Sequence, residues 1–316
     1  MRVVAGLVLG LLVLAGSARA NEHLLLYTSQ PPHDAEQTIA AFHKANPSID
    51  VSFIRDGTSQ IMTRLQAEFA AGAPKPDVLL IADAMSMEAL KEQNRLLPDP
   101  DADVKDLPQA AYDPDRTYFG TKFIATGIMY HTGAPQPDSW QDLLGKPAHD
   151  QTVLPSPLYS GAAMIFAGTM GTTYLDGLAK DGATAVAGNG QVLTQVAGGQ
   201  RQYGIVVDFM ALRAKEQGSP VDFVYPKEGV TVVTEPVAIL KTAHDIPAAK
   251  AFVSFLISKQ GQQFAASQGY LPIRADVPAP PGFPPRNTIK LLNPNIPQIL
   301  KDQTAIQQHF TNAFGG

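Results

Sequence analysis

The chain has 316 residues, with 24 Lys and Arg against 29 Asp and Glu, and it contains no cysteine. A formal net charge of -5 without a dense basic tract argues against nucleic-acid binding, which wants a positive footprint. The lack of cysteine excludes a disulfide framework, thiolate chemistry and a lipid-bearing N-terminal cysteine.

The first twenty residues set the expected compartment. Arg2 supplies a positive start, residues 3–15 are an almost unbroken apolar run, and Ala18-Arg19-Ala20 has the small-x-small pattern of a cleavage site. The run is shorter than the ~20 apolar residues that span a bilayer. A signal peptide over residues 1–20, cleaved after Ala20, is therefore expected, leaving a freely soluble periplasmic protein that begins near Asn21.

Residues 23–27 (HLLLY) make an apolar run of strand length. Residues 34–46 carry Ile39 and Phe42 in helical spacing and end at Asn46-Pro47. Residues 49–54 (IDVSFI) alternate as a strand, and residues 59–71 place Ile61, Leu65 and Phe69 on one helical face. Residues 78–81 (VLLI) read as a buried parallel strand. Strands alternating with helices predict an α/β fold with parallel sheets.

Residues 121–130 (TKFIATGIMY) predict a strand crossing out of a first lobe. Trp140, the only tryptophan, packs a short helix start within residues 135–144. Pro155-Ser156-Pro157 forces a turn, after which Ser160-Gly161-Ala162-Ala163 opens a helix reaching about Met170. A β-turn-α pattern covers residues 185–196, and residues 203–207 (YGIVV) and 222–225 read as strands. Residues 235–240 (EPVAIL) predict the strand that returns to the first lobe. Residues 247–268 read as one helical stretch with Ala251, Phe252, Phe255, Leu256 and Phe264 on a face, and residues 278–285 (PAPPGFPP) as an extended surface segment. The crossings divide the mature chain into lobe 1, residues 21–123 plus 235–316, and lobe 2, residues 124–234.

Enzyme signatures fail. There is no G-x-S-x-G elbow, no phosphate loop ending in G-K-[ST] and no H-E-x-x-H pair. The seven histidines do not fall at metal-ligand spacings; His33 and His43 read as solvated, and Asp99 and Asp101 as turn residues in a Pro-rich loop. Neither a catalytic residue nor a metal site nor a cofactor is expected.

What recurs is a strand end followed by small hydroxyl residues or glycine at a helix start. It occurs as Tyr27-Thr28-Ser29, Gly57-Thr58-Ser59, Ser160-Gly161-Ala162 and Gly188-Asn189-Gly190. The first N–H groups of a helix lack internal partners and carry the positive end of its dipole, so they bind anions without charged side chains. Any one of these starts is explained by a plain N-cap. Four of them, two on each side of the crossing, predict an anion site built from Thr28, Ser29, Thr58, Ser59, Ser160, Gly161, Ala162, Asn189 and Gly190. Asp208 and Phe209 follow the apolar run 205–207 at a strand's carboxyl end, where ligands of open α/β sheets bind. Asp208 is there either a counter-ion for an ammonium group or an N-cap for residues 209–216. Asp83 and Glu235 are weaker candidates: Asp83 reads first as a plain helix N-cap, and a brace for the hinge accounts for Glu235 as well as a ligand contact does.

The segments LYTSQ, KPDVLLIAD, SGAA, SPVDFVYPKEGV, EPVAILKTA and FVSFLISKQGQQFAASQGYLPIRADVP resemble family 1 extracellular solute-binding proteins of ABC importers. The resemblance covers essentially the whole mature chain. It implies the two-lobed periplasmic binding protein fold of the second type, closing on ligand about a two-strand hinge, with an inner-membrane permease as partner and a monomeric state. Ferric-ion-binding relatives carry a histidine, a glutamate and two adjacent tyrosines at positions that here look like Pro31, Ala82, Asp208 and Phe209, so the ferric ligand set is missing. Their anion-holding helix starts do match, at Ser160-Gly161-Ala162 and Asn189-Gly190. That combination resembles the branch associated with 2-aminoethylphosphonate, which implies a zwitterionic cargo with its phosphonate at the helix starts and its amine at Asp208. A sugar-phosphate receptor would need the helix starts but not Asp208. Ferric iron held through an exogenous anion is the third reading. A secreted hydrolase would need an activated nucleophile, and neither Ser29 nor Ser160 has a basic neighbour in sequence.

Overall fold

The computed structural model describes residues 22–315, and the expected signal segment lies outside them. An alternating series opens the chain: β1 (Glu22–Thr28), α1 (Pro32–Ala45), β2 (Ile49–Arg55), α2 (Thr58–Ala70), β3 (Val78–Leu80), α3 (Ala84–Glu92) and β4 (Leu96–Leu97). β5 (Phe119–Gly120) then leads into the long β6 (Lys122–His131). A second series follows, with β7 (Thr152–Pro155), α4 (Gly161–Lys180), β8 (Thr184–Val186), α5 (Asn189–Ala197), β9 (Tyr203–Val207) and α6 (Asp208–Glu216). β10 (Val221–Val224), β11 (Thr231–Val233) and β12 (Pro236–Leu240) bring the chain back. It ends with α7 (Ile246–Ile257), α8 (Lys259–Ser267), β13 (Leu271–Pro272) and α9 (Ile296–Phe314).

Two sheets make two lobes. The first has the order β2-β1-β3-β12-β4 with β5 on β12, and the second β10-β6-β9-β7-β8 with β11 and β13 on β6. Neither sheet is wholly parallel, as the alternation alone had predicted. β1 runs parallel to β2 and β3 but β12 is antiparallel to β3; β7 runs parallel to β8 and β9 but β6 is antiparallel to β9. The reason is the hinge. A strand that has just crossed between lobes enters its sheet from the cleft side, opposite to strands that point their carboxyl ends at the cleft. The two crossings are stitched together, since Thr121 and Lys122 N–H both donate to Thr234 O at 2.9 and 3.0 Å, and the Thr121 hydroxyl donates to Glu235 O at 2.8 Å.

Burial follows the layers. Phe42 of α1 meets Phe252 and Phe255 of α7 edge-on at 5.0 and 5.6 Å on one face of the first sheet, while Tyr27, Ile61, Leu65 and Met87 fill the other. In the second lobe Trp140 stands beside Phe166 and Tyr174, and Val192, Val196 and Val206 pack the opposite face. Met85, Ile124, Ala162, Phe209 and Tyr270 form a cluster that joins the lobes.

Three elements depart from the sequence expectation. The stretch 247–268 is two helices, because Ser258 leaves helical geometry (φ -67°, ψ 161°) and caps α8 by accepting from Gly261 N–H at 3.1 Å. The helix opened by Ser160 runs on to Lys180 through a break at Gly171, whose φ of 77° is open to glycine at little cost. The C-terminal helix α9 was not foreseen at all, and it packs along α4 of the second lobe, burying Ile299 and Phe310. Its apolar stripe covers α4 so closely that a Cβ on Gly168 would stand 2.8 Å from Ile299. The chain's last segment thus joins the second lobe, not the first.

Candidate functional site

A cavity of about 480 Å³ lies between the lobes, and its wall is assembled from strand ends and helix starts. From the first lobe come Ser29 and Pro31 after β1, Arg55 to Thr58 after β2, and Ala82 after β3. From the second come Tyr159, Ser160 and Ala162 before and in α4, Gly188 to Gln191 at α5, and Val207, Phe209 and Met210 at α6. This is the carboxyl edge of the parallel strands, where α/β folds place their ligands.

Three helices aim their N-termini at this space. α2 starts after Gly57 and α5 after Gly188, and neither has a side-chain cap, so their first N–H groups stay available. α4 is capped at one position only: Ser160 Oγ accepts from Ala163 N–H at 3.3 Å. Asn189 ties the second-lobe wall together, donating from Nδ2 to Ser160 Oγ at 3.4 Å and accepting from Val207 N–H at 3.2 Å. Ser29 Oγ accepts from Ala82 N–H at 2.9 Å, which joins the β1 and β3 ends. Among the described residues Arg55 is the one basic side chain of the lining; its Nε donates to Gln30 O at 2.9 Å, which orients the guanidinium. The helix starts thus add positive backbone dipoles to a lining that holds Arg55 and the carboxylates Asp56 and Glu235.

Of the residues singled out in the sequence, Ser29, Thr58, Ser160, Ala162, Asn189, Gly190 and Phe209 line the cavity. Thr28, Ser59, Asp83 and Gly161 do not. Thr28 is wholly buried with its hydroxyl accepting from Gln30 N–H at 3.1 Å, and Ser59 is not part of the lining. Asp83 caps α3, accepting from Met85 N–H at 2.8 Å, and burial holds its carboxyl above the usual range. Gly161 is at the lobe contact, where a Cβ would meet Ala82 O at 2.6 Å.

Asp208 corrects the sequence expectation. It is fully buried and outside the lining, with Oδ1 accepting from Phe209 N–H at 2.8 Å and Oδ2 from the Tyr225 hydroxyl at 3.2 Å. As the first residue of α6 it folds back on its own helix start, so its charge faces the protein and not the cleft. Burial outweighs these donors and pushes its pKa up to about 7.

The charged groups of the floor came from outside the helix-start pattern. Glu235, at φ 41°, lines the cavity while its Oε2 takes the Lys122 ammonium and, at 3.4 Å, Gln30 Nε2. Both members of that pair are buried, and burial raises the Glu235 pKa despite the ammonium beside it. Lys122 also stands 4.1 Å over the Tyr270 ring. Behind Phe209, which packs on Tyr270 at 4.3 Å, Arg213 of α6 grips Asp34 of α1 with both terminal nitrogens, Nη1 donating to Oδ1 at 3.0 Å and Nη2 to Oδ2 at 3.2 Å, joining the lobes. Arg55, Asp56 and Gln60 also line the cavity and were missed. The signal was their place beside Gly57-Thr58: a residue bordering a helix start shares its direction.

Residues 24–271 match the family of bacterial extracellular solute-binding proteins. An uncharacterized protein of Haemophilus influenzae is 26% identical over 305 residues, covering 89% of this chain and 87% of that protein. Iron uptake protein A1 of Synechocystis is 24% identical over 290 residues, covering 84% and 79% respectively. Among solved structures, the periplasmic binding protein AfuA of Actinobacillus pleuropneumoniae with fructose-6-phosphate bound superposes with a TM-score of 0.83. That likeness is at 20% identity and covers 93% of this chain and 98% of that one. With the family matched over most of its length and the two-lobed fold shared, this chain belongs to the bacterial extracellular solute-binding proteins.

Proposed function

We propose that the protein is the extracytoplasmic receptor of an ABC importer and that its cargo is a small organic anion with a phosphonate or phosphate head. The observation that carries this reading is the convergence of the α2, α4 and α5 starts from both lobes on one cavity, two of them without a side-chain cap. An oxyanion there meets N–H donors from each lobe and so favours their approach. The cargo expected from the sequence, 2-aminoethylphosphonate, keeps its anion half. Its amine would meet Asp56 or Glu235 instead of Asp208, since these are the lining carboxylates. A sugar phosphate fits the same head site, and the volume of about 480 Å³ leaves room for a larger organic part.

The test is calorimetry and thermal shift on the mature protein with 2-aminoethylphosphonate, ethylphosphonate, a hexose phosphate, inorganic phosphate and ferric citrate. A true cargo at a hundredfold excess over Kd stabilises the folded state by about 2.7 kcal/mol. At least one phosphonate or phosphate ester is expected to do so, and Asn189→Ala, which removes the brace between Ser160 and Val207, should weaken it about tenfold or more. Stabilisation by ferric citrate alone, with a coloured complex, would overturn the reading in favour of iron.

A further inference from the structure

The cavity has an apolar side that the helix starts do not explain. Ile124, Ala162, Val207 and Phe209 line it and belong to the hydrophobic cluster that joins the lobes, and the lining residues Ala82 and Met210 pack against that same cluster. Ile124 comes from the hinge strand β6, Ala82 follows β3 of the first lobe, and Met210 stands on α6 of the second. Ala82 and Met210 are only half-buried, so the cluster reaches the cavity with apolar surface still uncovered. Tyr159 is a separate sign of the same kind. Among the described residues three large apolar side chains are exposed, and Tyr159, at 41%, is the one that lines the cavity. An uncovered aromatic ring and an open cluster edge in one cleft mark a surface for an apolar partner.

We propose that this side of the cleft holds the body of the cargo, so that the cargo is an organic phosphate or phosphonate whose body is apolar, and not a polyhydroxylated one. This rests on the anion-receptor reading above and narrows it. The helix starts give every such cargo the same anchor, so discrimination falls to the body. Each methylene laid against the cluster leaves water, which strengthens binding about threefold to fourfold. A hydroxyl in the same place gives up its water without gaining a partner and weakens binding roughly tenfold or more. The nearby polar groups are already engaged: Ser29 Oγ takes the Ala82 N–H at 2.9 Å, and Glu235 is paired with Lys122. Closure brings Ala82 and Met210 onto the cargo from opposite lobes, so burying an apolar body favours the closed state.

The experiment titrates the mature protein by calorimetry at several temperatures with ethyl, propyl and butyl phosphate and with glycerol 3-phosphate, which is propyl phosphate with two hydroxyls added. Affinity should rise roughly tenfold from ethyl to butyl phosphate, with a more negative heat-capacity change at each step. Propyl phosphate should bind about tenfold or more tighter than glycerol 3-phosphate. Met210→Gln, which sets an amide on the apolar side, should reduce the rise from ethyl to butyl to about threefold or less. Asn189→Ala alters the head site and should weaken all four ligands while keeping their order. Both variants are checked for a wild-type circular dichroism spectrum. A flat alkyl series in the wild type, or glycerol 3-phosphate bound as tightly as propyl phosphate, overturns the apolar body and leaves the anion receptor standing. So does tighter binding of 2-aminoethylphosphonate than of ethylphosphonate. A steep series that persists unchanged in Met210→Gln overturns the place assigned to the body. Binding of none of the four phosphates overturns the anion-receptor reading and this one with it.

Discussion

Asp208 shows how far one residue's direction depends on neighbours that are distant in sequence. Its position at the end of β9 followed from the apolar run before it, but its carboxylate is held by Phe209 N–H and by Tyr225, which arrives from the segment after β10. In the native state it keeps its proton up to about pH 7, whereas the ordinary value is 3.8. The folded state therefore binds the proton more tightly, and stability falls as pH rises between those values. The penalty is roughly 4 kcal/mol at most by the top of that window. Replacing it by Asn removes the titration. The stability of Asp208→Asn relative to wild type should accordingly improve steadily from pH 4 to pH 8 in urea titrations, whatever its offset. Affinity for the cargo should stay within about threefold, because the residue does not line the cavity. A flat difference across pH, or a large selective loss for an amine-bearing ligand, would return Asp208 to the cleft.

At the scale of elements, the α2 and α4 starts meet the opposite lobe through glycines. A side chain at Gly161 would bring its Cβ within 2.6 Å of Ala82 O and 2.8 Å of Asp83 Cβ, and backbone cannot yield as a flexible side chain does. Gly161→Ala should therefore hold the lobes apart, lowering cargo affinity by tenfold or more while leaving the unliganded melting temperature within about 2 °C. Small-angle scattering with saturating cargo provides the check, since the variant should keep a larger radius than closed wild type. Equal radii and equal affinities would show that the contact adjusts. These starts were legible because capping and dipole chemistry act within one turn, so Ser160, Asn189 and Thr58 could be picked out locally. Gln60 was not, since it is shut in only where Gly57 meets Tyr159.

The whole molecule is organised around its crossings. Lys122 on one hinge strand and Glu235 beside the other make a buried pair, and removing one member leaves the other without its counter-charge. Lys122→Met is expected to cost about 3–5 kcal/mol by urea denaturation, and the double variant with Glu235→Gln should recover much of it. No recovery would mean that Lys122 contributes through its packing on Tyr270 and not through the pair. The α9 helix belongs to this scale as well, for its amphipathic pattern said nothing about which lobe it would cover.

The sequence by itself determined the alternation of strands and helices, the two crossings and most of the helix starts that line the cleft. These depend on periodicity, on turn residues and on caps, all of which act over a few residues. Only the tertiary structure decided the mixed direction of each sheet, the lobe that receives α9, and which polar side chains look into the cavity. Those outcomes depend on contacts between segments far apart in the chain. Asp208 turned inward because Tyr225 was there to receive it, and Gln60 was enclosed because Tyr159 closed over Gly57 from the other lobe.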